Sequence, residues 1–176
     1  ENEVILTLPM PDGSFENFKI INAPVLHPEL AKKYPGINTY AGTGIDDPSA
    51  YIRLDLTPKG FHGMIRSAEH STVYIDPYSK TDTENYLVYY KKDFQKKGGD
   101  VFECNVEGND GKITGDTPPV AEFAGDCQFR TYRMAMACTG EYAQFHGGTT
   151  ASALAAITTT MNRVNSVYKI NLYITM

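Results

Sequence analysis

The first ninety residues alternate apolar and polar positions with a period of two, the signature of half-buried strands. Val4, Leu6 and Leu8 share one face, a Pro11-Asp12-Gly13-Ser14 turn follows, and Phe18 and Ile20 share the face of the returning segment. His27 to Tyr34 reads as a short helical turn, with Pro28 in its first turn and Pro35-Gly36 ending it. After a Gly42 to Asp47 loop, Ile52, Leu54 and Leu56 alternate against Tyr51, Arg53 and Asp55. Thr57-Pro58-Lys59-Gly60 turns the chain into Phe61, Gly63 and Ile65. Val73 and Ile75 belong to a further strand ended by Pro77, and Tyr86, Val88 and Tyr90 to another. Short, turn-rich connections favour antiparallel hairpins over parallel crossovers.

From Asp93 to Asp126 the pattern dissolves into GGD, EGNDGK and GDTPP, the composition of a linker. Periodicity returns at Arg130, where Tyr132, Met134 and Met136 alternate with Arg133, Ala135 and Ala137 as in a strand. Beyond Gly147-Gly148 the period becomes helical: Leu154, Ile157, Met161, Val164 and Tyr168 form one apolar stripe, with Thr149 or Thr150 as N-cap. The Thr158-Thr159-Thr160 run is a poor helix former, so tertiary packing must hold this helix. Ile170, Leu172, Ile174 and Met176 then alternate as a strand. The expected class is α+β, with a mainly antiparallel β domain over residues 1–92, a linker over 93–129 and a β-α-β opening over 130–176. One helix and two short strands do not close a core, so this last unit is expected to belong to something larger. Its stripe is expected to pack on the β domain, to pair with another chain, or to be poorly ordered.

Composition adjusts this picture little. A 41% hydrophobic and 21% charged chain with net charge -5 is globular, and it lacks the basic patch that nucleic acid or an anionic membrane would require. No apolar run approaches the ~20 residues of a membrane helix. Asp46-Asp47-Pro48 lacks the alternating oxygen ligands of a calcium loop and reads as a turn. The histidines His27, His62, His70 and His146 include no pair four apart, and His146, ahead of Gly147-Gly148, suits a turn cap. The 12 tyrosines read by default as half-buried sheet residues. With 3 cysteines one thiol is left over. Either Cys127 pairs with Cys138 and leaves Cys104 free, or Cys104 pairs with Cys127 and Cys138 is a small core residue.

Two blocks resemble a known family. FENFKIINAPVLHPELAKKYPGINTYAGTGIDDPSAYIRLDLTPKGFHGMI and TVYIDPYSKTDTENYLVYYKKDF resemble the propeptide-like region of secreted, bacterial reprolysin-type (adamalysin-like, metzincin) zinc metalloproteases. TYRMAMACTGEYAQFHGG with ALAAITTTMNRVNSVY is similar to the first strand and helix of their catalytic domain. The resemblance implies an extracellular zymogen region that chaperones and inhibits a zinc endopeptidase. Its partner would be the catalytic domain of the same protease, with self-association through the C-terminal unit as a further contact. No HExxH string occurs, so no residue here inherits the family's zinc ligands or general base, and the chain is expected to be inactive by itself. Cys104-Asn105-Val106 resembles the family's Cys-Gly-Val latency setting, with Asn in place of Gly. That makes Cys104 the candidate inhibitory zinc ligand, since a thiolate in the metal's exchangeable position displaces the nucleophilic water. The competing class is a non-enzymatic β-rich binding or adhesion module.

Overall fold

The computed structural model describes residues 3–95 and 128–176. Seven strands, β1 (Val4–Pro9), β2 (Phe15–Asn22), β3 (Asn38–Gly44), β4 (Tyr51–Thr57), β5 (Gly60–Arg66), β6 (Val73–Ser79) and β7 (Asp82–Tyr90), form one antiparallel meander in chain order. The short helix α1 (Pro28–Lys33) connects β2 to β3 and is capped by His27, whose Nδ1 accepts from the Glu29 N–H. The architecture is α+β, dominated by this curled antiparallel sheet. Leu8 and Met10 share a buried cluster with Phe18, Ile52, Ile65 and Val73. Residues from the first hairpin and from β6 meet only if the sheet curls over its own inner face.

Strand β6 runs past Pro77 to Ser79, with a bulge that accommodates the proline, rather than ending there. Strand β3 takes in the first three residues of the segment that reads as a Gly42 to Asp47 loop, which begins only at Ile45. It carries no apolar alternation because its positions are tight rather than greasy. A Cβ on Gly42 would sit 2.4 Å from Ile20 Cδ1 and 2.5 Å from the Lys19 carbonyl oxygen. The calcium-loop alternative falls to the turn reading: Asp47 Oδ1 accepts from Ser49 N and Oγ at 2.8 and 2.7 Å, and Asp46 Oδ2 accepts from Asn17 N at 2.7 Å.

Strand β4 departs from the half-buried pattern. Ile52 and Leu54 face the inner core as expected, but Arg53 and Asp55 on the opposite face are only 5% and 1% exposed. The cover is α3 (Thr150–Leu172), which lies across β4 and β5. Thr149 caps it through a reciprocal capping box with Ser152. The side of α3 turned to the sheet carries Ala155, Thr159, Asn162 and Ser166, small or polar residues at spacings of four, three and four. The apolar stripe is therefore not what holds the helix to the sheet. Leu154, Ile157 and Met161 instead line a groove with Leu26 and Leu30 near α1 and with Met134 and Met136.

The C-terminal strands are shorter than the alternation predicts. Only β8 (Arg130–Thr131) and β9 (Ile174–Thr175) pair, and they pair in parallel, as a crossover through α3 requires. Residues 132–139 run irregularly, with Tyr132, Met134 and Met136 about half exposed. Ile170 and Leu172 belong to α3, which ends at Tyr173 in the left-handed region at φ 54°. Helix α2 (Gly140–Phe145) is capped by Thr139 and closed by His146, the turn-capping place expected for that histidine. One compact unit comprises Glu1–Phe94 and Phe129–Met176.

Candidate functional site

The polar interlayer between β4 and α3 is built around one carboxylate. Asp55 stands at the centre of β4, where the register puts His62 of β5 directly opposite. The Asp55 carboxylate accepts from Thr159 Oγ1 at 2.7 Å, from His62 Nδ1 at 3.1 Å and, at longer range, from Asn162 Nδ2 at 3.4 Å. A carboxylate taken this far out of water persists only with such partners. Thr159 also reaches the Ala155 carbonyl at 3.2 Å, so its hydroxyl is shared between helix and sheet. Arg53, the other buried charge on this face, has its Nε without a hydrogen-bond partner, and burial pulls its guanidinium pKa below the ordinary value.

A second cluster lies beside the first. Asp76 of β6 pairs with Arg163 of α3 and accepts from the Tyr89 hydroxyl at 2.9 Å. The guanidinium rests over Tyr74, 5.1 Å from the ring centroid, and Tyr74 packs on Tyr89 with centroids 5.7 Å apart. Burial first, then the Asp76 charge, pushes the Tyr89 phenol up to about 12.

Both clusters border an open cavity of about 310 Å3. Its lining includes His62, Arg163, Lys59 from the β4–β5 turn, Lys80 from the β6–β7 turn and His146. The pair Asp55–His62 has the form of an oriented imidazole, with Nδ1 committed to a buried carboxylate. Among the described residues no serine, threonine or cysteine is hydrogen-bonded to that imidazole; Thr159 bonds the carboxylate instead. Among the described residues this pair is therefore not joined to the nucleophile that a hydrolytic relay would need.

The four histidines sit apart in function. His27 caps α1, His62 pairs with Asp55, His70 contacts the Ser71 carbonyl at 2.9 Å, and His146 closes α2. Cys138 is exposed and free, so it makes no disulfide. Cys104, the sequence-derived candidate for a zinc-directed thiolate, lies outside the described residues, as does Cys127.

The β8-α3-β9 crossover is where similarity to known proteins concentrates. Residues 128–176 match the family described as "Metallo-peptidase family M12B Reprolysin-like". No curated protein and no solved structure matches the chain. The family match supports a reprolysin-like metalloprotease and implies zinc in the parent enzyme. A catalytic zinc takes three protein ligands; among the described residues no three His, Cys, Asp or Glu side chains converge.

Asp55, His62, Asp76 and Arg163 are the interacting residues that the sequence pattern does not single out. Their signal was available in part. Asp55 and Arg53 alternate with apolar residues and read as solvent-facing, and only a helix on that face turns them into buried groups. Among the described residues no helix is long and apolar enough to cross a membrane.

Proposed function

We propose that this chain is the latency region of a reprolysin-like zinc endopeptidase joined to the opening of its catalytic domain. The observation that carries the reading is the family match over residues 128–176, which follow a seven-stranded antiparallel sheet outside the match. The packing supports it: the sheet buries one side of the matched helix through Asp55, Arg66 and Asp76, which contact Thr159, Ser166 and Arg163. A β domain that seals the first helix of a protease domain is placed to chaperone that domain's folding. In this reading the domains are a propeptide over 1–92, a connection over 93–129 and the catalytic opening from 130. The stripe groove of Leu154, Ile157 and Met161 then receives the rest of the catalytic domain, or a second copy of the chain in its absence. The parent acts outside the cell, and Cys104 supplies the thiolate that occupies the zinc's exchangeable position.

The test adds the purified chain to the mature protease encoded by the same gene. Inhibition is expected, and Cys104→Ala should weaken it at least ~10-fold, equivalent to about 1.4 kcal/mol. The chain alone should cleave no casein. Chelator-sensitive cleavage by the chain itself would overturn the reading. Absence of inhibition would favour the β-rich binding module, and equal inhibition by the alanine variant would reduce the mechanism to steric blocking.

A further inference from the structure

The cavity beside the Asp55–His62 pair concentrates positive charge in a chain whose net charge is -5. Five separate elements contribute to it. Lys59 and Lys80 come from two different hairpin turns, His62 from β5, His146 from the end of α2, and Arg163 from α3. The carboxylates at hand are already engaged. Asp55 is enclosed by His62, Thr159 and Asn162, and Asp76 is held by Arg163 and Tyr89. Neither lysine ammonium makes an ion pair with a described residue.

Both ammoniums lie near the cavity wall, and Lys80 is held there. Lys80 Nζ donates to the Phe145 carbonyl at 3.2 Å and stands 3.0 Å from that ring's centroid. Lys59 Nζ lies 3.9 Å from where a Cβ on Gly147 would be. His146 registers both charges: burial is the larger cause that holds its pKa below the ordinary value, followed by Lys59 and then Lys80. The lining thus brings together two ammoniums that have no ion-pair partner among the described residues, while its carboxylate, Asp76, is held by Arg163 and Tyr89. Ser79 and Thr160 also line this surface, the Thr160 hydroxyl donating to the Ala156 carbonyl at 3.0 Å.

We propose that this cavity binds a tetrahedral oxyanion of the phosphate class, held by Lys59, Lys80, His62 and His146. Donors approaching from several elements suit a tetrahedral dianion better than a planar carboxylate, which is best met by one in-plane fork. Arg163, the group with that fork, is committed to Asp76. An ion bound near two ammoniums gains from both, by an amount that falls as ionic strength rises.

The four histidines provide an internal control. Imidazole resonances are followed while inorganic phosphate is titrated at constant ionic strength and pH. Saturable shifts are expected at His62 and His146, with His27 and His70 unmoved, because those two lie outside the cavity. Lys59→Ala with Lys80→Ala should weaken binding at least ~10-fold, and a cooperative melt in phosphate-free buffer checks that the double variant stays folded, since Lys80→Ala also removes the bond to the Phe145 carbonyl. A parallel titration with glycerol phosphate separates the sources. Tighter binding of the ester means that a larger molecule presents the group, and tighter binding of inorganic phosphate means that the free ion is the ligand. Shifts shared by all four histidines, no shift at all, equal affinity for acetate, or undiminished binding by the double variant would each overturn the proposal.

Discussion

Removing the Asp55 carboxylate tests whether the polar interlayer is what joins α3 to the sheet. In Asp55→Ala three donors lose an acceptor, but unequally. Thr159 keeps the Ala155 carbonyl at 3.2 Å, and Asn162 was already distant at 3.4 Å, so the main loss falls on His62 Nδ1. Leaving a buried polar group unpaired costs about 1–3 kcal/mol, and taking one partner from a buried charged pair costs about 3–5. With Asp55 1% exposed and His62 bordering the cavity, about 3 kcal/mol is the expected loss. For a chain of 176 residues that corresponds to a melting temperature lower by roughly 6–12 °C. Asp55→Asn keeps one oxygen for Thr159 and should lose about half as much. Urea unfolding of both variants, with Thr159→Val to close a double-mutant cycle, gives the coupling directly. A Asp55→Ala variant within ~0.5 kcal/mol of the parent would refute the reasoning, because the interlayer would then be solvated or the helix held elsewhere.

Three further outcomes follow from the packing. Gly42→Ala should destabilise by about 1–3 kcal/mol, since its Cβ would meet the Lys19 backbone oxygen, which cannot turn aside; denaturant midpoints check it. The Tyr89 phenol holds its proton more firmly folded than unfolded, so stability is unaffected below about pH 10 and falls as pH climbs from there through about 12; Tyr89→Phe should flatten that limb, and the phenolate absorbance should lose its last-titrating component. Leu154→Lys with Ile157→Lys should alter oligomeric state or solubility, read by light scattering, more than it alters the sheet's melt, because these side chains line the groove rather than the sheet contact.

The meander was legible because six of its strands carry alternation or turn chemistry that no tertiary contact needs to explain. The Thr149 cap and the His146 turn were legible for the same local reason. Strand β3 was not, since its requirement is smallness at Ala41, Gly42 and Gly44, and a missing side chain leaves no periodic mark. The docking side of α3 was hidden more deeply. Helix periodicity singles out Leu154, Ile157 and Met161, yet Thr159 and Asn162 touch the sheet, and their partner Asp55 is about 100 positions away. Two polar faces that bury each other each read, alone, as exposed to water. The exaggerated C-terminal strands have a simpler origin: among the described residues no neighbouring strand answers the alternation at Met134 and Met136, and no ladder forms there.

The polar character of that buried layer bears on how the chain is made. Every strand of the sheet pairs with its neighbour in sequence, so the sheet closes early from local contacts. Thr159, which seals Asp55, follows it by 104 residues. At ~5–20 residues per second a ribosome needs roughly 5–20 s to deliver it. Throughout that interval the sheet shows its outer face to water. A layer of leucines and valines would offer a sticky surface to every other nascent chain nearby, whereas Arg53, Asp55 and His62 can wait hydrated until the helix arrives.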